Sequence, residues 1–143
     1  AEKLRHSVLM DSVRTGIADK TIVIDPGHGG DDQGVCAHDV KEVNVVSAIA
    51  SKLQGRLAAH GATVVLTRAL NQSTDPSDTE RAAIANDVDA DLLVSIHCDA
   101  ATSPQASGIA TFPVVASCAT GMLYPAVPPA LTLIVLTPDV PDG

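Results

Sequence analysis

Thr21-Ile22-Val23-Ile24-Asp25-Pro26-Gly27-His28-Gly29-Gly30 is the stretch that decides how this chain folds. A β-branched apolar run stops at Asp25, and a glycine-rich turn then carries a histidine. Ile and Val bounded by Pro and Gly predict a buried strand over 21–25 followed by a turn. In open α/β sheets the chemistry gathers beyond the carboxyl ends of the strands. His28 falls there.

Downstream, Val46, Ile49, Leu53 and Leu57 recur at three- and four-residue steps and predict an amphipathic helix over Glu42 to Ala59, with Gly61 as its C-terminal stop. Stepping the apolar stripe back by four lands on Glu42, an unusual place for a carboxylate. Its neighbourhood alone favours simple pairing with the helix dipole. Residues 62–67 read as a second strand ending at Arg68. Ser77-x-x-Glu80 is a capping-box pattern that opens a helix over about 78–88, with Asp75-Pro76 as an alternative start. Ala82, Ala83 and Ile84 give that helix a small-residue, closely packed character. Leu92 to His97 is a third strand, apolar until its terminal histidine. Alternating strands and helices predict parallel strands joined by right-handed crossovers. All carboxyl ends then share one edge, so His28 and His97 converge, with Glu42 opening the helix beside them. Gly108 to Phe112 offers one more strand.

Composition narrows the function. The chain has 143 residues, 45% hydrophobic and 18% charged, which suits one globular domain with a real core. A net charge of −8 leaves no basic patch for phosphates and excludes nucleic acid as a partner. Phe112 and Tyr124 are the only aromatics, so stacking platforms do not carry recognition. Cys36, Cys98 and Cys118 include no Cys-x-x-Cys pair and read as free thiols. Residues 1–19 read as a linker or short docking helix, without the continuous apolar segment of a signal peptide. The longest apolar run, Ala130 to Leu136, is far short of the ~20 residues that span a bilayer. After Phe112 the composition changes: six of the nine prolines fall in 113–143, and Lys, Arg, His and Glu disappear. This tail reads as an atypical apolar segment outside the core, as an out-of-frame or truncated end would be.

Two neutral imidazoles and one carboxylate with an open fourth position make a catalytic zinc site. His28, Glu42 and His97 supply that set, and the Asp99 carboxylate and Cys98 thiol follow His97 immediately. No His-Glu-x-x-His helix is present, and Gly27-His28-Gly29-Gly30 lacks both the P-loop ending and the dinucleotide spacing. Cys98 points to the opposite strand face from His97, while His6, His38 and His60 read as surface groups.

Ile24-Asp25-Pro26-Gly27-His28-Gly29-Gly30, with Asp32 and Gly34 following, resembles the first motif of the zinc-dependent N-acetylmuramoyl-L-alanine amidases of the amidase-3 type. Glu42 with Ala48 to Leu53, then Val65-Leu66-Thr67-Arg68, Glu80-Arg81 through Asn86, and Ala90 to His97 are similar in order and spacing. The likeness covers about residues 20–112. It implies an α/β fold, a three-layer open and mainly parallel sheet flanked by helices, here incomplete. It implies zinc held by His28, Glu42 and His97, which overrides the dipole reading of Glu42, with Asp25 and Arg81 supporting the loop and sheet edge. The implied reaction is hydrolysis of the amide between N-acetylmuramic acid and L-alanine in peptidoglycan, at the cell wall, outside the cell or in the periplasm. The family carries its catalytic glutamate on a last strand in a Val-Glu-x-Gly-Phe-like context, and no glutamate follows Glu80 here. Strongly reduced activity follows, or alternatively a catalytically dead zinc-binding module of cell-wall synthesis. Missing closing strands would also leave an open sheet edge prone to association.

Overall fold

The computed structural model describes residues 16–37, 39–71 and 73–98, together with the backbone of 108–114 and 131–137. Most of the 1–19 segment, His6, His38, Asp99, Cys118 and Tyr124 lie outside the described residues.

Strand β1 (Thr21–Pro26) is an interior strand of a five-stranded sheet. β4 (Thr63–Leu66) pairs with it on one side and β5 (Leu92–Cys98) on the other, both parallel. A strand flanked on both sides and covered on both faces has no solvent face, which is why 22–24 reads as a continuous apolar run. Helix α1 (Glu42–Ala59) covers one face and helix α2 (Asp78–Asp87) the other. Alternation along the strands sorts the side chains between them. Ile22, Ile24, Val94 and Ile96 cluster with Val46 and Ala50 of α1, and the predicted stripe residues Ile49, Leu53 and Leu57 pack against the same group. Val23 and Leu93 cluster with Ala85 of α2. Burying a side chain such as Ile24, which is fully enclosed, contributes about 1.5–3 kcal/mol.

Both helices end as the sequence predicts. Past α1, the N–H of Gly61 donates to Ala58 and that of Ala62 to Leu57, with Gly61 at φ 92°. This is a Schellman stop, and a residue without Cβ takes its left-handed position easily. α2 opens on a complete capping box between Ser77 and Glu80, so the Asp75-Pro76 start is not used.

A short hairpin of β2 (Cys36–Ala37) and β3 (Val40–Lys41) joins β1's loop to α1. Two further strands complete the large sheet, whose order is β4-β1-β5-β7-β6. β6 (Gly108–Val114) is the additional strand expected at 108–112. β7 (Leu131–Thr137) is a departure from the sequence reading, which kept 113–143 out of the core. Its backbone lies between β5 and β6, parallel to the first and antiparallel to the second. Leu131 to Leu136 lacks the polar/apolar alternation of a half-buried strand because an interior strand does not require it. The side of β5 away from β1 is therefore paired, not open.

Candidate metal centre

The loop after β1 turns back sharply. His28, Gly29, Gly30 and Gly34 all have positive φ, and Gly29 and Asp32 exchange backbone hydrogen bonds. The left-handed φ of 61° at His28 is strained for a residue with a Cβ. The turn carries the His28 imidazole toward Glu42, the first residue of α1, and toward His97 near the carboxyl end of β5. Nε2 of His28 stands 3.0 Å from Oε1 of Glu42, and Nδ1 of His97 stands 3.4 Å from the same oxygen. The two rings meet edge to face with centroids 4.9 Å apart. One donor atom from each residue lies within 4.8 Å of the others.

Glu42 is the enclosed member, its side chain 2% exposed against 20% for His28 and 35% for His97. Burial pushes its carboxyl pKa up, but N–H groups of Cys98 and Val35 and the nearby His28 outweigh that and hold it below the usual range. Those N–H groups donate to Oε1 at 2.6 Å and Oε2 at 2.9 Å. Burial likewise depresses His28, yet the Asp32 hydrogen bond and the Glu42 charge leave its pKa raised. Nδ1 of His28 lies 2.7 Å from Oδ2 of Asp32. A carboxylate on one ring nitrogen fixes the tautomer and frees the other nitrogen for a metal.

Two glycines make room. A Cβ at Gly34 would meet Glu42 Oε2 and the His28 ring at 2.7 Å, and one at Gly27 would overlap the His97 ring. Cys98 packs against the α1-side cluster, and His60 caps the far end of α1, bonded to the Arg56 carbonyl. Neither belongs to the His28–Glu42–His97 group. A concavity of about 630 Å³ lined by Thr74, Asp75, Pro76, Glu80, Ala83, Ile84 and Asp87 includes none of the three.

Beneath the loop lies a polar layer that sequence reasoning reached only in part. Asp25 is 4% exposed. It accepts from Thr67 Oγ1 at 2.5 Å, Ser95 Oγ at 2.6 Å and Arg81 Nη1 at 2.5 Å. Strand alternation places Asp25 on the α2 face, where Arg81 reaches it. Arg81 also donates to the carbonyls of Pro26, His28 and Pro76 and to Asp75. In the sequence Thr67 and Arg68 stand in a motif that gives them no role, and Ser47 and Ser95 have none either. The available signal was position: Arg68 closes the second strand just as Asp25 closes the first.

The structure is thus an α/β domain with a His–Glu–His group that could hold a metal ion at the carboxyl edge of its parallel strands. The chain belongs to the N-acetylmuramoyl-L-alanine amidase family of the amidase-3 type, whose profile matches residues 22–122. It is 42% identical over 113 residues to the N-acetylmuramoyl-L-alanine amidase CwlM of Mycobacterium tuberculosis, spanning 76% of this chain and 27% of that protein. It is 40% identical over 94 residues to AmiA of Escherichia coli, spanning 65% and 32% respectively. An amidase structure from Clostridium difficile 630 superposes with a TM-score of 0.59 at 37% identity, covering 65% of this chain and 51% of that one. The chain thus spans about a third or less of these curated relatives and about half of the solved domain.

Proposed function

We propose that this protein is a zinc-dependent peptidoglycan amidase that cleaves the amide between N-acetylmuramic acid and the L-alanine of the stem peptide, at the cell wall or in the periplasm. The observation that carries the reading is the convergence of His28, Glu42 and His97 in a chain of this family. The donor set suits the ion: two imidazoles and a carboxylate are ligands that zinc takes, and the Glu42 oxygen stands 3.0 and 3.4 Å from the two rings, with all three donor atoms within 4.8 Å of one another. Zinc bound there supplies a Lewis acid for the scissile carbonyl and lowers the pKa of a coordinated water.

The chain's own residues do the positioning. Glu42 is held as an anion by two backbone N–H groups, and Asp32 orients His28. His97, the most exposed of the three, marks the side open to substrate. No described helix is long and apolar enough to cross a membrane. A second reading is a zinc-binding module of cell-wall synthesis without turnover, which the same three residues would also serve.

Metal titration combined with muropeptide hydrolysis, followed by mass spectrometry of released stem peptide, decides between them. One equivalent of zinc with slow hydrolysis supports the amidase. Zinc without hydrolysis supports the module, and a chain that takes up no zinc rejects both.

A further inference from the structure

Arg68 lies directly beyond β4 and is 3% exposed. Its Nε donates to the Pro26 carbonyl at 2.9 Å and its Nη2 to the Gly27 carbonyl at 2.8 Å. Nη1 donates to Ser47 Oγ on α1 and to the Ala69 carbonyl, each at 3.2 Å. Among the described residues no carboxylate lies within salt-bridge distance of it; the Asp25 and Asp75 charges favour its charged form from further away, while burial and Arg81 oppose it more. A buried charge without a directly paired carboxylate is costly, and an apolar side chain would fill the space more cheaply if packing were its only task.

What this charge holds is the chain immediately ahead of His28. A residue with a Cβ keeps a left-handed φ, here 61°, only where its surroundings fix it. Arg68 fixes the two carbonyls before His28, and Arg81 takes the carbonyl of His28 itself at 3.3 Å. The other end of the Arg68 guanidinium reaches α1 five residues past Glu42, where Ser47 Oγ in turn donates to the Val43 carbonyl at 2.7 Å. One side chain therefore spans the two elements that carry His28 and Glu42.

We propose that Arg68 is a positioning residue that sets the His28 imidazole against the Glu42 carboxylate and thereby governs metal affinity. The inference rests on the metal reading above. Arg68 reaches the two carbonyls and Ser47 from three separate nitrogens; lysine keeps the charge, but its three N–H donors share one nitrogen and cannot reproduce that spread.

The test uses the full chain, stripped of metal, as wild type, Arg68→Lys and Ser47→Ala. Zinc affinity is measured by competition with a chromophoric chelator, ligand geometry by the visible absorption of the cobalt(II) form, and folding by circular dichroism and metal-free melting. Arg68→Lys is expected to weaken zinc binding about 10–100-fold, the usual loss when an outer partner of a metal ligand goes, and to change the cobalt spectrum. Ser47→Ala is expected to weaken binding less while remaining folded. Wild-type affinity and spectrum in both variants, with only the melting temperature lowered, would overturn the proposal and leave the metal reading standing. If Arg68→Lys does not fold, unchanged affinity in Ser47→Ala overturns it. A wild-type chain that binds neither ion removes the metal reading and this proposal together.

Discussion

The backbone N–H of Cys98 donates to Oε1 of Glu42 at 2.6 Å, so strand β5, which carries His97, also grips the carboxylate at the start of α1. With the Val35 N–H on Oε2, both oxygens of the buried group act as acceptors. Glutamine offers one acceptor and one NH₂, which would face a backbone donor. Glu42→Gln is expected to destabilise the metal-free protein by about 1–3 kcal/mol, the cost of a buried unsatisfied donor. Urea denaturation in the presence of a chelator measures this, and an unchanged midpoint would count against the described geometry.

His28 and Glu42 give the metal-free protein a two-sided pH dependence. His28 is raised above its ordinary 6.5, burial being outweighed by Asp32 and Glu42. Its contribution to stability is therefore full below 6.5 and is lost as pH rises through the raised value. Glu42 is lowered from 4.5, burial being outweighed by the Cys98 and Val35 N–H groups and by His28. Its contribution is full above 4.5 and is lost as pH falls through the lowered value. Stability from the pair is greatest between those two ordinary values. Replacing His28 with Asn is expected to flatten the alkaline limb of a denaturation-midpoint profile. Zinc needs the neutral imidazole, so affinity should begin to fall, on acidification, above pH 6.5, with proton release on binding seen by calorimetry in two buffers.

Asp25 and Arg81 form a buried ion pair whose side chains are 5% and 8% exposed. Removing one partner from such a pair typically costs about 3–5 kcal/mol. Ser95 and Thr67 would also lose their shared acceptor. Domains of ordinary stability hold about 5–15 kcal/mol in reserve, so Asp25→Ala should lose a large share of it even though Asp75 still holds Arg81 at 2.9 Å. Its thermal melt should fall well below those of the wild type and of Glu42→Gln. A cooperative melt at the wild-type temperature would contradict the pairing.

How legible this site was in the sequence depended on whether each contact is local. Ser77 and Glu80 are three residues apart and their capping box could be read directly, as could the apolar stripe of α1. Glu42 was ambiguous because its two roles coincide: it opens α1, where acids are common, and it turns toward the histidines. Family resemblance, not periodicity, separated them. Arg68 stood in a motif, but its role was unreadable because two of its partners are carbonyls 41 and 42 residues earlier in the chain, and a carbonyl leaves no mark in a sequence. β7 was missed for a different reason. Its continuous apolar run suits a strand paired on both sides, and that pairing depends on β5 and β6 being in place.

Gly34 and Gly55 provide a matched pair of substitutions with opposite expected signs. Gly34 sits at φ 62°, and its Cβ would press on both Glu42 and His28. A left-handed conformation alone costs a residue with a Cβ roughly 1–2 kcal/mol, and the clash displaces two of the three residues that could hold metal. Gly55 lies on the exposed side of α1, with nothing near the position of an added Cβ. Alanine there should stabilise the helix by roughly 0.5–1 kcal/mol, because glycine loses more conformational freedom on folding. Gly34→Ala is therefore expected to lower both stability and zinc affinity, and Gly55→Ala to raise stability while leaving zinc affinity unchanged. Denaturation midpoints and chelator competition on the two variants separate a site-specific effect from a general response to adding a methyl group. Equal zinc affinity in both would show that Gly34 does not shape the cradle.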